Sequence, residues 1–577
     1  MVNVESAKTV FTEIDNKIDL LNGTKKTWAN LAISAKIKML LELRQNIGIN
    51  AKEWVDLSVN AKQIEQNSPL AGEEWTSGPW VFASTVNNYI HTLQAIDENK
   101  KLTLIKKVKT RKNGQVVAKV FPNNIFETLL LNGITAEVWM QDGVNSKNLN
   151  DTIGVFYNKT NPEGKSSLVL GAGNINAIAP LDVLHKFIAE GEVVILKMNP
   201  INEYLSPVLE KIFQPFIKAG FLSIVKGGAE IGEYLTRHPK IDTIHITGSE
   251  KTHDIIVYGA GDNGKIRKAA NNPILESSKK ITSELGGIGP MIVIPGPWTD
   301  ADINFQAENI VTAKLHNSGH NCVASQVLIL PKNWDLSQKL IDAISNKLKN
   351  IPPRIAYYPR ADQSQKAALK AYPKAQLYGG NVPRTFITGI DANNTDEYCF
   401  STEFFGPIYA QTFIDGDTTE SYLENAVKFC NEKLHGTLGA TILVHPKTKK
   451  QLGVNLDKAI ADLKYGAIGV NIWNAAAFLV TQCTWGAFPG HTYNNIQSGI
   501  GVVHNTFLFD KPQKSVIYGP FRVLPRAWFH GDFNLMPKPV WFVTNKTTHI
   551  TSRLITKFSV NPGFKHLPGI FLAALRG

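Results

Sequence analysis

Hydrophobic and polar positions along this chain follow one period at the start and another further on. From Thr27 to about Gln94 apolar residues recur at intervals of three and four with charges between them, as in AKIKMLLELRQNIGINAKEWVDLSVNAKQI, and predict an opening of amphipathic helices. After about Ser167 the period changes. SSLVLGAGN is an apolar run closed by a glycine turn, APLDVLHKFIAEG is an amphipathic helix, and EVVILKMNP is a strand of the type buried on both faces. A helix in EYLSPVLEKIFQPFIKAG, a strand in SIVKGG, a helix in EIGEYLTRHP and a strand in TIHITGS continue the alternation. Such a succession predicts a parallel, doubly wound sheet, and sheets of this kind commonly bind dinucleotides at the carboxyl ends of their strands. From about Gly289 to Ala461 the alternation repeats, with PMIVI, QVLILP and GATILVHP as strands, and predicts a second α/β domain. TAEVWMQDGVNSKNLNDTIGVFYNKTNPEGK and the tail segments VIYGPFRVL and PVWFVT read as β-rich; together they are expected to form one sheet that bridges subunits.

Composition narrows the class. At 577 residues, with 43% apolar and 19% charged positions, the chain is long enough for several packed domains and lacks the signature of disorder. No apolar run reaches 18 residues, and MVNVESAKTVFTEIDNKIDL lacks a basic start followed by an apolar stretch, so a cytoplasmic location is expected. Cys322, Cys399, Cys430 and Cys483 lie far apart without a C-x-x-C pair, which points to free thiols and to no metal site. The net charge of +12 is uneven: from Thr506 to Gly577 ten Lys and Arg face only Asp510 and Asp532, an excess of +8, among twelve aromatic residues. That mixture is compatible with nucleic acid, anionic lipid or an acidic substrate. The tail has no dense basic run and no RNA-binding signature, so no nucleic-acid partner is expected, and contact with a membrane surface is a secondary reading.

Candidate chemistry gathers around HNSGHNCVASQVLIL, which sets Cys322 in a small polar turn ahead of an apolar run. A reactive cysteine needs its thiolate favoured and within reach of substrate, and most unpaired cysteines are instead small buried hydrophobes. The neighbours in the chain bear on the choice. Glu284 in SELGGIGPMIVI and Glu403 in STEFFGPIYA each place a carboxylate beside a tight turn, Asn174 in GAGN follows a strand end, and Gly248 and Ser249 in ITGS end another.

In this order and at this spacing the pieces resemble the aldehyde dehydrogenase superfamily, which carries E-L-G-G, G-Q-x-C and E-x-F-G-P segments. They stand here as Glu284-Leu-Gly-Gly287, Gly319-His-Asn-Cys322 and Glu403-Phe-Phe-Gly-Pro407, with further matches at Lys197, Gly227, Gly232, Gly248 and Ser498 to Gly501, across about Thr27 to Asn505. The resemblance implies an α/β fold with a parallel, Rossmann-like cofactor domain, an α/β catalytic domain and a small β oligomerisation segment. Their expected bounds are 1–127 with 159–288, completed by about 462–499, for the cofactor domain; 289–461 for the catalytic domain; and 128–158 with 500–577 for the bridging segment. It further implies that Cys322 attacks an aldehyde and that Asn174 with the Cys322 backbone N–H binds the oxyanion. Glu284 would activate the water that hydrolyses the thioester. Lys197 and Glu403 would hold the two riboses of NAD or NADP, Phe405 would lie near the nicotinamide, and Gly227, Gly232, Gly248 and Ser249 would face the pyrophosphate. A homodimer or homotetramer follows by the same resemblance.

Several positions depart from the pattern. Gly171 to Asn176 reads as GAGNIN without the third glycine of a phosphate loop, and Asn176 is a rival to Asn174 for the oxyanion role. His320 replaces the usual Gln, Met198 follows Lys197 where Pro is usual, and Pro200 stands where many NAD users carry a Glu, which admits NADP; Lys226 could pair with its phosphate. Trp473, Phe478, Trp485 and Phe488 fall in the region of the substrate funnel and point to an apolar aldehyde. Two other functions stay open: an acylating enzyme that uses coenzyme A, or an acyl-CoA reductase, and a non-catalytic lipid- or nucleic-acid-binding protein on this scaffold.

Overall fold

The computed structural model describes residues 4–577, with side chains from residue 9 onward; Met1, Val2 and Asn3, at the start of the stretch inspected for a leader, lie outside the described residues. The opening is helical, in Val4–Ala29, Ile33–Ala61 and Val81–Asp97; the last two fall where the period predicts them, and the first lies almost wholly before Thr27, where that reading began. Trp28 and Trp54, fully buried on these helices, pack with Phe82, Phe187, Phe213 and Phe216 against one face of a six-stranded sheet. Each buried large apolar side chain contributes about 1.5–3 kcal/mol, and this cluster fixes the helices to the sheet.

That sheet runs Gly499–Ile500, Lys280–Leu285, Thr243–Gly248, Ser166–Leu170, Val193–Lys197, Leu222–Val225. All neighbours are parallel except Gly499–Ile500, which pairs antiparallel with Lys280–Leu285 and sets Gly499 opposite Glu284. The strand order reverses between Ser166–Leu170 and Thr243–Gly248, the place where doubly wound sheets open a crevice for a ligand.

The second sheet has eleven strands in the order Lys107–Thr110, Val116–Phe121, Thr135–Met140, Pro512–Tyr518, Ala467–Val470, Gly439–Leu443, Gly289–Val293, Ser325–Pro331, Ile408–Ile414, Arg384–Ile390, Gln376–Tyr378. From Pro512–Tyr518 to Arg384–Ile390 the pairings are parallel, and both ends continue antiparallel. The two β-rich pieces do join in one sheet, since Pro512–Tyr518 pairs with Thr135–Met140, but they extend the catalytic sheet of the same chain. The hairpin that completes them, Lys107–Thr110 with Val116–Phe121, lies in the stretch assigned by sequence to the cofactor domain, and Ala467–Val470, also so assigned, lies in the catalytic sheet.

The tail differs most from its expected form. VIYGPFRVL is strand only up to Tyr518, and PVWFVT contains no strand. Pro520, Pro525, Pro537 and Pro539 remove ladder donors there. Beyond them the chain forms the helices Thr548–Val560 and Leu567–Ala574. Thr548, Thr551, Ser552, Ile555, Thr556 and Ser559 are buried at helical spacing against the helices near residues 72–84. Part of the tail's basic excess is spent inside the protein: Arg522 and Arg526 both bind the Asp302 carboxylate at 2.7 Å, and buried Lys514 donates to the Ile460 and Ala461 carbonyls. Among the described residues no helix is long and apolar enough to cross a membrane, and all four cysteines are free.

Candidate active site

Cys322 lies in the turn between the helix Asp300–Leu315 and the strand Ser325–Pro331. Three successive residues there, Asn317, Ser318 and Gly319, are left-handed, with φ of +53°, +57° and +78°. Such a run is unfavourable for residues with a Cβ. It is held by Asn317, whose backbone N–H donates to Glu73 Oε2 at 3.0 Å and whose amide donates to the His320 carbonyl at 2.8 Å. Gly319 is required sterically, because a Cβ there would stand 2.4 Å from the Gly406 oxygen, so the Cys322 turn and the E-F-F-G-P turn touch backbone to backbone.

The Cys322 thiol donates to Glu284 Oε1 at 3.2 Å, and the Trp485 indole N–H donates to the same oxygen at 2.9 Å. Residues 38 and 201 positions from Glu284 thereby share one carboxylate oxygen. Burial raises the Glu284 carboxyl above its ordinary range, against the pull of the Trp485 hydrogen bond. Burial also pushes the Cys322 thiol well up, and the Glu284 charge beside it pushes further. The thiol is therefore protonated at rest, contrary to the expectation of a standing thiolate, and its proton already points at the group that can accept it.

Asn174 stands at the mouth of the strand Ser166–Leu170, where its side-chain N–H donates to the His320 carbonyl at 3.1 Å, two residues before Cys322. Its own carbonyl accepts from Lys62 Nζ (3.2 Å), Asn317 Nδ2 (3.1 Å) and Tyr357 Oη (2.9 Å). Asn176 is spoken for: its amide nitrogen donates to Ser58 Oγ at 2.6 Å and Glu74 Oε2 at 2.9 Å. These contacts belong to a buried charged network that the sequence did not reveal. Lys62 pairs with Glu74 at 2.9 Å, Arg354 binds Glu73, and Lys62 also donates to Asn317 Oδ1 at 3.1 Å. In the sequence Lys62, Glu73 and Glu74 sit among the charges of the helical opening and Arg354 in the distant stretch IPPRIAYYP, and nothing local pairs them.

Of the other predicted residues, Lys197, Gly227, Gly248 and Ser249 stand at the carboxyl ends of strands in the six-stranded sheet, and Glu403 and Phe405 in the turn before Ile408–Ile414. Lys197 ends its strand and is mostly buried, which lowers its amine from the usual range. The helix Ala229–Arg237 starts after Gly227 and Gly228 without a side-chain cap, and a Cβ added at Gly228 or Gly232 would meet nothing within 4 Å, so this backbone faces open space. Gly248 and Ser249 are exposed where the strand Thr243–Gly248 ends, and Ser249 caps the helix Glu250–Tyr258 through Thr252 N–H. An uncapped helix start with open glycine backbone fits an anionic phosphate, and a lysine at the neighbouring strand end fits the ribose beyond it, so the cradle suits a dinucleotide. Glu403 lies over Gly286, where a Cβ would stand 2.2 Å from its Oε1; the second residue of the E-L-G-G turn after Glu284 leaves room for that carboxylate. Burial raises Glu403 to about 7, opposed by Lys314, whose own amine burial lowers to about 7. Phe405 packs with His320 and Tyr358, ring centroids 5.7 and 4.9 Å away. Burial holds the His320 imidazole near 3, hence neutral.

On the other side of Cys322 is a narrow cavity of about 70 Å³ walled by Ile175, Ile178, Trp473, Phe478, Trp485 and, from the tail, Trp541. Phe488 is absent from that wall; it packs beside Lys514, whose amine lies 5.1 Å from its ring, at a different cleft. Lys226 is exposed at the end of its strand, and Met198 is in the core. Among the described residues no cluster of three or more His, Cys, Asp or Glu could hold a metal ion.

Two α/β sheets, one of them doubly wound with a crevice at its switch point, define a class of fold that commonly binds a dinucleotide there. The family model described as "Aldehyde dehydrogenase family" matches residues 92–480, two thirds of the chain, and the protein belongs to that family. It is 30% identical over 303 residues to the D-glyceraldehyde dehydrogenase (NADP(+)) of Picrophilus torridus, covering 49% of this chain and 55% of that one. To the lactaldehyde dehydrogenase of Methanococcus maripaludis it is 26% identical over 384 residues, 61% and 72% of the two chains. The chain spans little more than half the length of several curated relatives it matches, 54% to 58%. Among solved structures, lactaldehyde dehydrogenase from Escherichia coli superposes with a TM-score of 0.58 at 17% identity, over 87% of this chain and 90% of that one. An indole-3-acetaldehyde dehydrogenase complexed with NAD+ gives 0.58 at 16% identity, over 88% and 89%. These likenesses carry the fold.

Proposed function

We propose that this protein oxidises an aldehyde to a carboxylic acid through a covalent adduct on Cys322, with NAD or NADP as hydride acceptor. One observation carries the reading: the thiol of Cys322 and the indole of Trp485 converge on a single oxygen of Glu284, at 3.2 and 2.9 Å. Glu284 takes the thiol proton as sulfur attacks the aldehyde carbon, and the second N–H of the Asn174 amide with the Cys322 backbone N–H receives the oxyanion. One such donor is typically worth about 3–4 kcal/mol of transition-state stabilisation. When bound, the nicotinamide supplies the acceptor for the hydride that leaves the adduct, and a thioester remains on Cys322. Glu284, again a carboxylate, then draws a proton from water so that the oxygen can attack the thioester.

Lys197 and Glu403 would hold the riboses, and the open helix starts after Gly228 and Ser249 the pyrophosphate. Pro200 offers no carboxylate against a 2′-phosphate and Lys226 is exposed nearby in sequence, which supports admitting NADP beside NAD. The apolar walls of the cavity support an apolar aldehyde, and its volume of about 70 Å³ favours a short chain. Four free thiols are in keeping with a reducing, cytoplasmic setting. Every residue of the proposed chemistry comes from one chain, so a homodimer or homotetramer, proposed by family likeness, is not needed to complete the site.

Purified protein given short n-alkanals and either cofactor should produce the absorbance of reduced nicotinamide, and Cys322→Ala should abolish it. No signal from the native protein with either cofactor sinks the reading. Strict dependence of product on coenzyme A would turn it into the acylating alternative, against which the presence of Glu284 argues.

A further inference from the structure

Glu284 must lose the proton it gathers before it can act again, and it is buried. Among the buried polar atoms without a hydrogen-bond partner are Oε2 of Glu284, beside Cys322, and Nδ1 of His504. Their residues are neighbours through Trp485. Its backbone N–H donates to the His504 carbonyl at 3.1 Å, its indole donates to Glu284, and Phe478 packs edge-on against both Trp485 and His504 at 5.4 and 5.0 Å. His504 is itself left-handed, with φ of +51°, a conformation that residues with a Cβ adopt mainly where surroundings impose it.

The other ring nitrogen of His504, Nε2, lies 3.1 Å from Asp182 Oδ1. A carboxylate only accepts, so neutral His504 carries its proton on Nε2 and presents a bare lone pair at Nδ1. Beyond Asp182 the bonded chain continues. Thr247 Oγ1 donates to Asp182 Oδ2 at 2.9 Å, His245 Nε2 lies 3.2 Å from Thr247 Oγ1, and His245 Nδ1 lies 2.9 Å from Thr282 Oγ1. Thr282 lines an open cleft of about 830 Å³, distinct from the aldehyde cavity. Asp182, His245, Thr247 and His504 are all buried, and apart from Thr247 of ITGS none belongs to the motifs named around Cys322.

We propose that His504, oriented by Asp182, accepts the proton that Glu284 collects and hands it along Asp182, Thr247, His245 and Thr282 to that cleft, a role that rests on the function proposed above. In acylation the S–H bond of Cys322 breaks, its proton goes to Glu284 and sulfur bonds to the acyl carbon, from which hydride or, with an ester, the phenolate departs. The carboxylic O–H of Glu284 then breaks as an N–H forms at His504 Nδ1, through one water, and the imidazolium is paired by Asp182. One proton reaches the cleft and Glu284 is a carboxylate again before hydrolysis. There the hydroxide of water adds to the acyl carbon, its proton goes to Glu284, the C–S bond breaks with the electron pair on sulfur, and Glu284 returns that proton to Cys322. The raised carboxyl of buried Glu284 makes such an exit necessary, because without it the protonated acid persists. The charged and titratable groups around the relay are Asp182, Glu284 and His245, with His185, Lys186, Glu190 and Tyr89 behind Asp182. His504 touches no reacting atom, so it is a positioning and relay residue.

The test uses the full chain with p-nitrophenyl acetate, which is expected to acylate Cys322 without a cofactor. His504→Ala and His504→Gln should acylate with native amplitude, which reports an intact site, and then deacylate about 100-fold more slowly, as loss of a proton acceptor predicts. Intact-mass measurement should show the acetyl adduct accumulating, and added imidazole should restore turnover to His504→Ala and not to His504→Gln. Deacylation at the native rate in either variant overturns the relay, as does a slowed rate that imidazole leaves untouched in His504→Ala. Should His504→Ala fail to fold, Asp182→Asn with the Gln variant decides by the same readout. A native protein that turns over the ester but oxidises no aldehyde refutes the function proposed above and leaves the relay standing.

Discussion

A thiol that keeps its proton at rest changes what Cys322 needs from its neighbours. Burial and the adjacent carboxylate both hold sulfur in the neutral form, so nucleophilicity must be produced by transfer to Glu284 at the moment of attack. The oxyanion side is more directly testable. Asn174→Ala removes one donor from the adduct and should lower kcat by about 100- to 1,000-fold, with urea unfolding little changed, as measured in steady-state assays beside denaturation curves. Glu403 gives a pH dependence. Burial places its carboxyl at about 7, so it is neutral below that value and ionised above it. A ribose hydroxyl donates more strongly to the carboxylate than to the acid. Cofactor affinity, followed by fluorescence titration, should therefore tighten as pH rises from 6 to 8 through about 7, and Glu403→Gln should flatten the profile. The placement of Cys322, Glu284, Asn174 and Glu403 was legible because each sits at a strand end or in a turn marked by glycine or proline. The resting protonation of Cys322 was not, since it depends on a carboxylate 38 positions away.

Among the elements, the helical opening carries more than a packing face. Lys62, just past the end of its second helix, pairs with Glu74 of the short helix after it and reaches the Asn174 carbonyl and the Asn317 side chain, 112 and 255 positions away. Their charges are almost wholly buried, at 2% and 1% side-chain exposure, so removing one leaves the other poorly compensated. Lys62→Met should cost about 3–5 kcal/mol in urea denaturation, toward the lower end because Arg354 still lies 3.8 Å from Glu74. Lys62→Met combined with Glu74→Gln should recover part of that loss; a double variant worse than the single one would contradict the pairing. The period of three and four predicted these helices correctly. It could not tell which of their charges face water, because helical spacing places a residue on a face and only the neighbouring loop decides what that face meets.

At the scale of the whole molecule, the tail joins the two ends of the site. Asp302 fastens it through Arg522 and Arg526, and Trp541 then closes the outer wall of the cavity beside Cys322. Trp541→Ala should lengthen that cavity and raise kcat/KM for longer n-alkanals by about fourfold per added methylene, the equivalent of about 0.8 kcal/mol each, until the next wall is met. An unchanged chain-length profile would show that Trp541 does not bound the substrate. The strands expected to bridge subunits are spent within the chain: Pro512–Tyr518 is paired on both sides, with Thr135–Met140 and Ala467–Val470. At the free edge, Lys107–Thr110 carries exposed Lys107 and Lys109, charges that discourage further strand addition.

Sequence by itself determined the alternation of buried strands and amphipathic helices, hence two α/β layers, and it placed a cysteine, two glutamates and an asparagine at strand ends and turns. Those features are local: a period of apolar residues or a glycine beside a carboxylate is written within about a dozen positions. Only the tertiary structure decided which sheet each strand joins, that the proline-broken tail turns helical, and that Lys62, Asp182 and His504 lie buried behind the site. Charge and strand pattern are degenerate in sequence, and the environment that fixes a proton or a pairing comes from segments hundreds of residues apart.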